Sequence, residues 1–531
     1  MRQLSAQDAS FLYSDTTHSN ANVTLVHIYD QSTAPGGKVR FKSILAQIQS
    51  RIEKLPVFRQ KLHRVPLDLD FPYWVDDENF DLEYHVRHIA LPKPGDWRQF
   101  CIQASRIHAR PLDLNRPLWE MYVIEGLDSF LDLPQGTFAL LTKTHHAAID
   151  IENGSEMTML LHDLSPEPQA PAPPAPWFPE SPPRLLPMLT RGVGHSMTAS
   201  IGLAGPFGRA LRRAAPAAVE LMGEWLLPSR HLPVTRFNSI VSPHRVFETR
   251  RFALDEFKAI RTLVGGATVN DAVLAVCGGG LRRYLELHDE LPAASLSAIA
   301  PFYVRDPEAP ADAAPRLSWT RVELGTDLAD PVARLARVHE QTASSDVIAR
   351  AVGAHELTEA GHHLPASTLA LTGKWLGRAT SGIGRYSPLA HCTITNVPGP
   401  NKPLYLCGAR MTYFSAIMPV SDGNGLVFAV TSYDDRVVIS PTSCRELMPD
   451  PAVFAQCVRD AFQELLALAT NNPAIGPRPM ATTIPPAAPA APDVPAPKPR
   501  RKAAPRRAAA LRSARPRASA SGRRSPTSPP G

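Results

Sequence analysis

Two adjacent histidines and an aspartate lie in the stretch Lys143-Thr-His145-His146-Ala-Ala-Ile-Asp150-Ile151. The preceding residues 136–142 are apolar and rich in β-formers, which predicts that the histidines end a buried strand where the chain turns toward a helix. Side chains alternate across a strand, so one imidazole can face a cavity as a general base while its neighbour packs inward. Asp150 can then anchor the turn. A His-His pair by itself is more often two packed interior histidines, so these residues alone leave both interpretations open.

Further blocks of residues accompany this stretch in a fixed order along the chain. They are Leu4-Ser-Ala-Gln-Asp8-Ala-Ser-Phe11-Leu12, Pro56-Val-Phe58-Arg59, Arg116-Pro117-Leu118-Trp119-Glu120, Thr268-Val-Asn270-Asp271, Thr395-Asn396-Val-Pro398-Gly399-Pro400 and Ser432-Tyr433. Together with the histidine stretch, which resembles an HHxxxDG motif, the series resembles the bacterial wax ester synthase/diacylglycerol acyltransferase family of the chloramphenicol-acetyltransferase-like superfamily. The resemblance extends from about residue 4 to about residue 470.

The resemblance implies an α/β fold of two chloramphenicol-acetyltransferase-like lobes, each with a mixed sheet flanked by helices. A crossover insert would join the lobes, and the active site would lie in the channel between them. The chain accordingly divides into an N-terminal acyltransferase lobe (1–164), a Pro-rich linker with an apolar, arginine-bearing insert (165–246), a C-terminal lobe (247–472) and a basic tail (473–531).

The implied activity is that of an acyl-CoA-dependent O-acyltransferase, which makes triacylglycerol from diacylglycerol or wax ester from a long-chain alcohol. His146, the second histidine of the motif, would be the general base, and His145 a packed neighbour. The coenzyme A thiolate leaves readily and needs little acid assistance, so one base would be sufficient. The resemblance implies acyl-CoA as a co-substrate, and we expect no cofactor and no metal. Asp150 would hold the loop, with Arg305 as a candidate partner across the lobes.

Two of the other blocks have structural as well as functional interpretations. Pro117, Leu118 and Trp119 match a PLW block of the family, which is either a folded turn with a core tryptophan or a substrate contact. Asn270 and Asp271 open a predicted helix, so we interpret them as capping and interlobe groups in preference to catalytic ones.

One position departs from the family motif. Ile151 stands where the motif has glycine, and Asn153-Gly154 follows it. A β-branched residue does not readily adopt the positive φ that glycine permits. Either the turn is rebuilt around Asn153-Gly154, or the site is loosened and the activity is reduced.

Composition excludes several other classes of protein. With 531 residues and 44% hydrophobic content, the chain is long enough for two packed lobes. It has no apolar run of the roughly 18 residues that a spanning helix needs, and its N-terminus lacks the apolar segment of a secretory signal. We therefore expect a cytoplasmic protein, and the lipid substrates that the resemblance implies would place it peripherally at the inner membrane or lipid inclusions. Its six cysteines form no CxxC pair, which favours buried thiols over a zinc or redox site.

The positive net charge of +6 is concentrated at the C-terminus. From Arg478 onward there are twelve Lys or Arg residues and one acid, Asp493, so the rest of the chain is net negative. This Pro-, Ala- and Arg-rich tail is predicted to be disordered. It could bind nucleic acid or anionic lipid, and the absence of interleaved aromatic residues makes nucleic acid the minority option.

Two alternatives to neutral-lipid synthesis stay open. The chain could transfer acyl groups to another hydroxyl or amine acceptor, as other members of the superfamily do. It could also be a weakly active or inactive relative that binds lipid inclusions, which the isoleucine at position 151 would allow. The insert near residues 184–228 is similarly open, either as a helix packed on the lobes or as an amphipathic element on a lipid surface.

Overall fold

The computed structural model describes residues 2–66, 69–129, 133–134, 136–149, 154–168, 177–180, 187–188, 190–191, 233–304, 316–344, 390–400 and 402–471. All of them lie in one compact unit, Met1–Pro477. The predictions about the basic tail, and most of those about the insert, fall outside these residues. Within the described stretches, no helix is both long enough and apolar enough to cross a membrane.

The N-terminal half alternates short strands and helices. In chain order its elements are β1 (Arg2–Gln3), α1 (Ala6–Ser14), β2 (Asn22–Asp30), α2 (Phe41–Arg51), β3 (Gln60–His63), β4 (Tyr73–Asp76), α3 (Leu82–His85), β5 (Val86–Ala90), α4 (Trp97–Ala109), β6 (Trp119–Leu127), β7 (Thr137–His145) and α5 (Gly154–Leu161).

The C-terminal half contains the longer helices. Its elements are β8 (Arg245–Phe247), β9 (Arg250–Ala253), α6 (Leu254–Ile260), α7 (Val269–Leu287), β10 (Ser297–Val304), β11 (Arg316–Glu323), α8 (Pro331–Ala343), β12 (Cys392–Pro398), β13 (Tyr405–Leu406), β14 (Ala409–Ile417), β15 (Val427–Tyr433), β16 (Arg436–Cys444) and α9 (Pro451–Thr470).

A six-stranded sheet forms the core of the N-terminal lobe, with the strand order β13-β14-β2-β7-β6-β5. Only the β5–β6 pair is parallel among these neighbours. Val26 and Ile28 of β2 pack in one apolar cluster with helix α4, whereas Val23 and Leu25 pack in another with helix α2. Because both faces are covered, β7 is buried along its whole length and its sequence does not alternate between apolar and polar residues.

A seven-stranded sheet forms the core of the C-terminal lobe. Its order is β11-β10-β12-β15-β16-β8, and β9 also pairs with β16. The β10–β12 and β12–β15 pairs are parallel and the others are antiparallel, so this sheet is mixed as well. Helices α7 and α9 contribute Leu281, Tyr284 and Phe454 to its apolar core. The predicted α/β architecture of two lobes with mixed sheets is confirmed.

Two strands of the C-terminal half belong to the N-terminal sheet. Strand β14 runs antiparallel to β2, with Ile417 opposite Thr24 and Arg410 opposite Asp30. On its other side it contacts the C-terminal sheet, where the Ser415 and Ser440 hydroxyls are 2.7 Å apart. The two lobes are therefore joined through a shared strand as well as through the connecting chain.

The local sequence patterns predict several of these elements correctly. The apolar run at residues 23–29 lies in β2, and the run at 41–52 forms α2 with Ile44 and Ile48 buried. The block that begins at Asn270 lies in the helix Val269–Leu287, which Thr268 caps by accepting a hydrogen bond from the Asp271 backbone N–H. Hydrophobic periodicity and capping residues are sufficient to predict these elements.

Three consecutive glycines in α7 allow its close contact with neighbouring elements. A Cβ atom on Gly278 would lie 2.7 Å from the Leu324 carbonyl oxygen, and one on Gly280 would lie 2.6 Å from Cγ2 of Val458 in α9. These distances are shorter than van der Waals contact. The glycines, which cost helix stability individually, are thus required by the packing of α7 against α9 and against Leu324, the residue that follows β11.

Replacing Gly280 by alanine should destabilise the fold. The new methyl group would also lie 2.8 Å from Val458 Cα, a backbone atom that cannot rotate away. Overpacking of this kind costs about 1–3 kcal/mol, which exceeds the gain of about 1 kcal/mol in helix propensity. We expect a net loss of unfolding free energy in urea titrations.

Gly265→Ala is the matched control for this substitution. A Cβ atom on Gly265 would meet nothing within 4 Å. The variant should therefore unfold at the wild-type urea concentration or slightly above it. Equal stability of the two alanine variants would contradict the packing argument.

Candidate functional site

The two histidines lie at the end of the buried strand β7, as their sequence context predicts. His145 is the last residue of the strand, and His146 begins a 3-10 turn, His146–Ala148. The His145 side chain is 1% exposed, whereas His146 is partly exposed. The neighbouring imidazoles thus occupy different environments.

His145 is held by hydrogen bonds on both ring nitrogens. Nδ1 accepts the backbone N–H of Ala147 at 3.1 Å, so the ring proton is on Nε2, which lies 3.1 Å from Oδ2 of Asp15. The backbone N–H of His145 donates to the Leu118 carbonyl oxygen at 3.0 Å. With both nitrogens engaged, this ring has no nitrogen left to accept a substrate proton.

His146 retains a ring that can take up a proton. It stacks on Phe11 with ring centroids 3.9 Å apart and planes 16° apart. Its buried Nδ1 has no hydrogen-bond partner among the residues that the structure describes. Burial lowers the pKa of His146 to about 4. A hydrogen bond with its own backbone acts in the opposite direction, and the charge of a protonated His145 lowers the pKa further. The imidazole is therefore neutral at physiological pH, which is the form that a general base requires.

A buried lysine, Lys143, lies on the same strand two residues before His145. Nζ of Lys143 donates to the carbonyl oxygens of Ile107, at 3.1 Å, and Arg110, and lies 3.9 Å from a Glu120 carboxylate oxygen. Burial lowers the pKa of Lys143 to about 8, partly offset by Glu120. Because its donors are directed at the last turn of α4, Lys143 is a structural group that ties this helix to the sheet.

The loop before β2 connects the histidines to the C-terminal lobe. Residues 15–21 begin with Asp15, the partner of His145. Farther along, the His18 ring lies 3.2 Å from the Asp422 carboxylate, and the Ser19 hydroxyl donates to the Val420 carbonyl at 2.7 Å. Arg245 also donates to the His18 carbonyl at 2.7 Å. The histidine end of β7 is thus joined, through this loop, to the facing lobe.

The PLW block is part of the core. Trp119 is 2% exposed, donates from its indole N–H to the Phe58 carbonyl at 2.9 Å and stacks on His85 with ring centroids 4.5 Å apart. Leu118 is fully buried, and Pro117 precedes it as a buried residue. Of the two interpretations, the folded turn with a core tryptophan describes this geometry.

Asp271 has the capping geometry that we expected for the start of α7. Its carboxylate accepts the Thr268 backbone N–H at 2.8 Å, the Thr342 hydroxyl at 2.8 Å and the His339 ring at 3.0 Å. These partners all belong to the C-terminal half, so within the described residues Asp271 joins α7 to α8 and makes no contact of the interlobe kind that we expected. Asn270 is exposed.

Several predicted site residues lie outside the described part of the chain. These are Asp150, Ile151 and Arg305. The proposed Asp150–Arg305 pairing and the question of the missing motif glycine therefore stay predictions. Among the described residues, no group of His, Cys, Asp and Glu side chains is arranged to hold a metal ion.

Sequence reasoning did not assign roles to two residues of the site. Phe11 belongs to the N-terminal block, but nothing in that block indicates that its ring stacks on His146. Asp15 follows helix α1 in a polar segment without periodicity, so no local signal links it to His145. Both contacts join residues more than a hundred positions apart.

Acid should destabilise the protein through its buried neutral histidines. Burial is the main cause that lowers the pKa from 6.5 to about 3 for His27 and to about 4 for His146 and His162. The unfolded chain takes up these protons first. The contribution of these histidines to the unfolding free energy should therefore be fully present above pH 6.5. Between pH 6.5 and about 4 it should fall by about 1.4 kcal/mol per pH unit for each histidine. Urea unfolding at pH 7, 6 and 5 measures this slope.

His27→Phe provides the matched variant for this prediction. His27 is fully buried and stacks on Phe414, with ring centroids 5.2 Å apart, so a phenyl ring can occupy its place. The variant should lose stability less steeply below pH 6.5. A slope identical to that of the wild type would show that His27 does not contribute.

Known proteins are similar in sequence to this chain over most of its length. The profile of the wax ester synthase/diacylglycerol acyltransferase catalytic domain matches residues 4–273, and that of the WS/DGAT C-terminal domain matches residues 316–466. One Mycobacterium tuberculosis protein, provisionally named a diacylglycerol O-acyltransferase, is 32% identical over 492 residues, covering 89% of this chain and 92% of its own. A second, named likewise, is 32% identical over 502 residues, covering 88% and 97%.

Solved structures share the fold. The wax ester synthase/diacylglycerol acyltransferase from Marinobacter aquaeolei VT8 has a TM-score of 0.60 and 24% identity, covering 88% of this chain and all of its own. A trichothecene 15-O-acetyltransferase from Fusarium sporotrichioides has a TM-score of 0.54 and 9% identity, covering 87% and 95%. The two-lobed architecture is common to all three proteins.

Proposed function

The chain belongs to the wax ester synthase/diacylglycerol acyltransferase family and is an O-acyltransferase, and from this premise we propose its substrates and its base. The acyl donor is an acyl-CoA, and the acceptor is the hydroxyl group of diacylglycerol or of a long-chain alcohol. The product is triacylglycerol or wax ester. His146 is the general base.

The neutral, partly exposed ring of His146 carries this proposal. It lies at the end of a strand that is buried along its length, and its neighbour His145 has both nitrogens in hydrogen bonds. Of the two motif histidines, only His146 can therefore accept a proton. The names of the relatives, which specify diacylglycerol acyltransferases and a wax ester synthase, support the choice of acceptors.

The reaction needs one base and no further cofactor. The acceptor O–H gives its proton to a nitrogen of His146 as the oxygen bonds to the thioester carbonyl carbon. The tetrahedral intermediate then collapses, the C–S bond breaks, and the proton on His146 passes to the departing thiolate of coenzyme A. General-base assistance of this kind contributes about 10²–10⁴-fold in rate.

Thiol release from palmitoyl-CoA tests the proposal. The full chain is assayed with dioleoylglycerol, hexadecanol and hexadecylamine, and the lipid products are identified by mass spectrometry. Release that depends on dioleoylglycerol or hexadecanol is expected. Release with the amine alone would favour a different acceptor class, and no release combined with binding to lipid inclusions would favour a non-catalytic relative.

We also propose that the chain binds lipid surfaces peripherally. Its proposed acceptors are held in membranes or inclusions, and residues 478–531 carry twelve cations and one acid. A cation near an anionic surface contributes about 1 kcal/mol. Flotation with phosphatidylglycerol vesicles should be stronger for the full chain than for a chain that ends at residue 472. Equal flotation of the two chains would count against a role for the tail.

A further inference from the structure

We propose that Asp15 is a positioning residue that fixes His146 at the end of β7. The inference rests on the proposed function, in which His146 is the base. Asp15 contacts neither ring nitrogen of His146, so it acts through the residues on either side and is not a second proton acceptor.

The carboxylate of Asp15 binds two parts of the strand end at once. Oδ2 accepts from Nε2 of His145 at 3.1 Å, and Oδ1 accepts the backbone N–H of Ala21 at 2.8 Å. The Ala21 carbonyl in turn accepts the backbone N–H of His146 at 2.8 Å. One side chain thus orients the ring of the first histidine and, through Ala21, the backbone of the second.

The ring of His145 continues this chain of contacts beyond His146. Its Nδ1 accepts the Ala147 backbone N–H, which belongs to the 3-10 turn that carries His146. That acceptor role requires the ring proton to be on Nε2, where the Asp15 carboxylate accepts it. Without Asp15, the ring proton of His145 could move to Nδ1. Nδ1 could then no longer accept the Ala147 N–H, and the turn that carries His146 would lose this hydrogen bond.

Helix α1 holds the plane of the His146 ring from the same direction. Phe11 is four residues before Asp15, so it lies on the same side of the helix end, and its ring stacks on His146. The helix itself is fixed to the strand end, because Ala9 and Leu12 pack in one apolar cluster with Leu118 and Ala147. The backbone of His146, its neighbour and its ring are therefore all set by residues 9–21.

This arrangement is the kind that catalytic bases require. A misplacement of about 1 Å can cost about 10²-fold in rate, even when the altered residue does not touch the substrate. Loss of Asp15 should therefore reduce the rate of the chemical step and leave binding of the acyl donor nearly unchanged.

The test compares Asp15→Ala and Asp15→Asn with the wild type in the full chain. We expect kcat for palmitoyl-CoA and the best acceptor to fall by about 10–100-fold in Asp15→Ala, with KM changed by less than about 3-fold. The kcat of Asp15→Asn should lie between those of Asp15→Ala and the wild type, because the amide has one acceptor oxygen, whereas the carboxylate accepts with both of its oxygens. Hydrogen exchange should become faster in a peptide covering residues 143–149 and stay unchanged in one covering 451–470.

Glu446→Ala is the control, because it also removes a carboxylate that contacts a histidine ring, but at His244 and not at the end of β7. Glu446 lies 3.0 Å from Nδ1 of His244 on the surface, and its loss should leave kcat unchanged. Wild-type kcat in Asp15→Ala would overturn the inference. If that variant does not fold, Asp15→Asn decides by the same criterion.

Failure of the proposed function would look different. A wild type without turnover on any acceptor would refute the function, and the exchange measurement would still decide whether Asp15 orders the strand end. An unchanged exchange rate at residues 143–149 would overturn the inference in that case, and faster exchange confined to that peptide would support it.

Discussion

Replacing His146 by alanine is expected to lower palmitoyl-CoA turnover by about 10²–10⁴-fold while the protein stays folded. The side chain is the only proton acceptor that the two motif histidines offer, since His145 is engaged with Asp15 and Ala147. The loss should fall on kcat, because the substitution removes an interaction made in the transition state. Thiol release under saturating acceptor, with circular dichroism as a check on folding, measures it.

A histidine outside the site supplies the control. His244 is exposed and pairs with Glu446 on the surface, so His244→Ala should retain wild-type turnover. In the wild type, turnover should not vary between pH 6 and pH 7, because burial lowers the pKa of His146 to about 4. Equal rates for the His146 variant and the wild type would refute the assignment of the base.

Replacing Trp119 by alanine should remove about 3–5 kcal/mol of unfolding free energy. This side chain is among the largest fully buried ones in the structure. It packs edge-on against Phe58, with ring centroids 4.7 Å apart, and its indole N–H donates to the Phe58 carbonyl. The substitution would open a cavity and leave that carbonyl without its donor. Urea unfolding followed by far-UV circular dichroism measures the loss.

Trp119→Phe separates packing from substrate contact. The phenyl ring keeps much of the stacking on His85 and loses the indole donor, so it should restore most of the stability and of the turnover. If the PLW block contacted substrate instead, the phenylalanine variant would be stable and would show a raised KM. That result would contradict the core role that the structure gives to Trp119.

The elements that could be predicted from the sequence are those that local physics determines. The helix Phe41–Arg51 follows from apolar residues at helical spacing, and the start of Val269–Leu287 follows from its polar opening residues. The strand Thr137–His145 follows from a β-rich run, and its weak alternation is explained by burial on both faces. The position of His146 at its end was predicted for the same reason.

The remaining parts of the site depend on contacts between distant residues. Nothing near Asp15 indicates that it faces a histidine 130 positions later. Lys143 was part of the quoted motif, yet its burial against the end of α4 depends on carbonyl groups of residues 107 and 110. A family resemblance points to the histidine that we propose as the base, but the groups that contact it are found only in the folded chain.

The strand shared between the lobes determines when the N-terminal sheet can be completed. Strand β2 needs β14 as its second neighbour, and Thr24 pairs with Ile417, almost four hundred residues later. During synthesis one edge of β2 therefore stays open until nearly the whole folded region has left the ribosome. An open edge of this kind can pair with other chains. A newly made N-terminal half is therefore prone to aggregate for most of the time that translation of the whole chain takes. Because residues 4–273, the catalytic domain defined by sequence, lack β14, we expect that segment alone not to fold into an active enzyme.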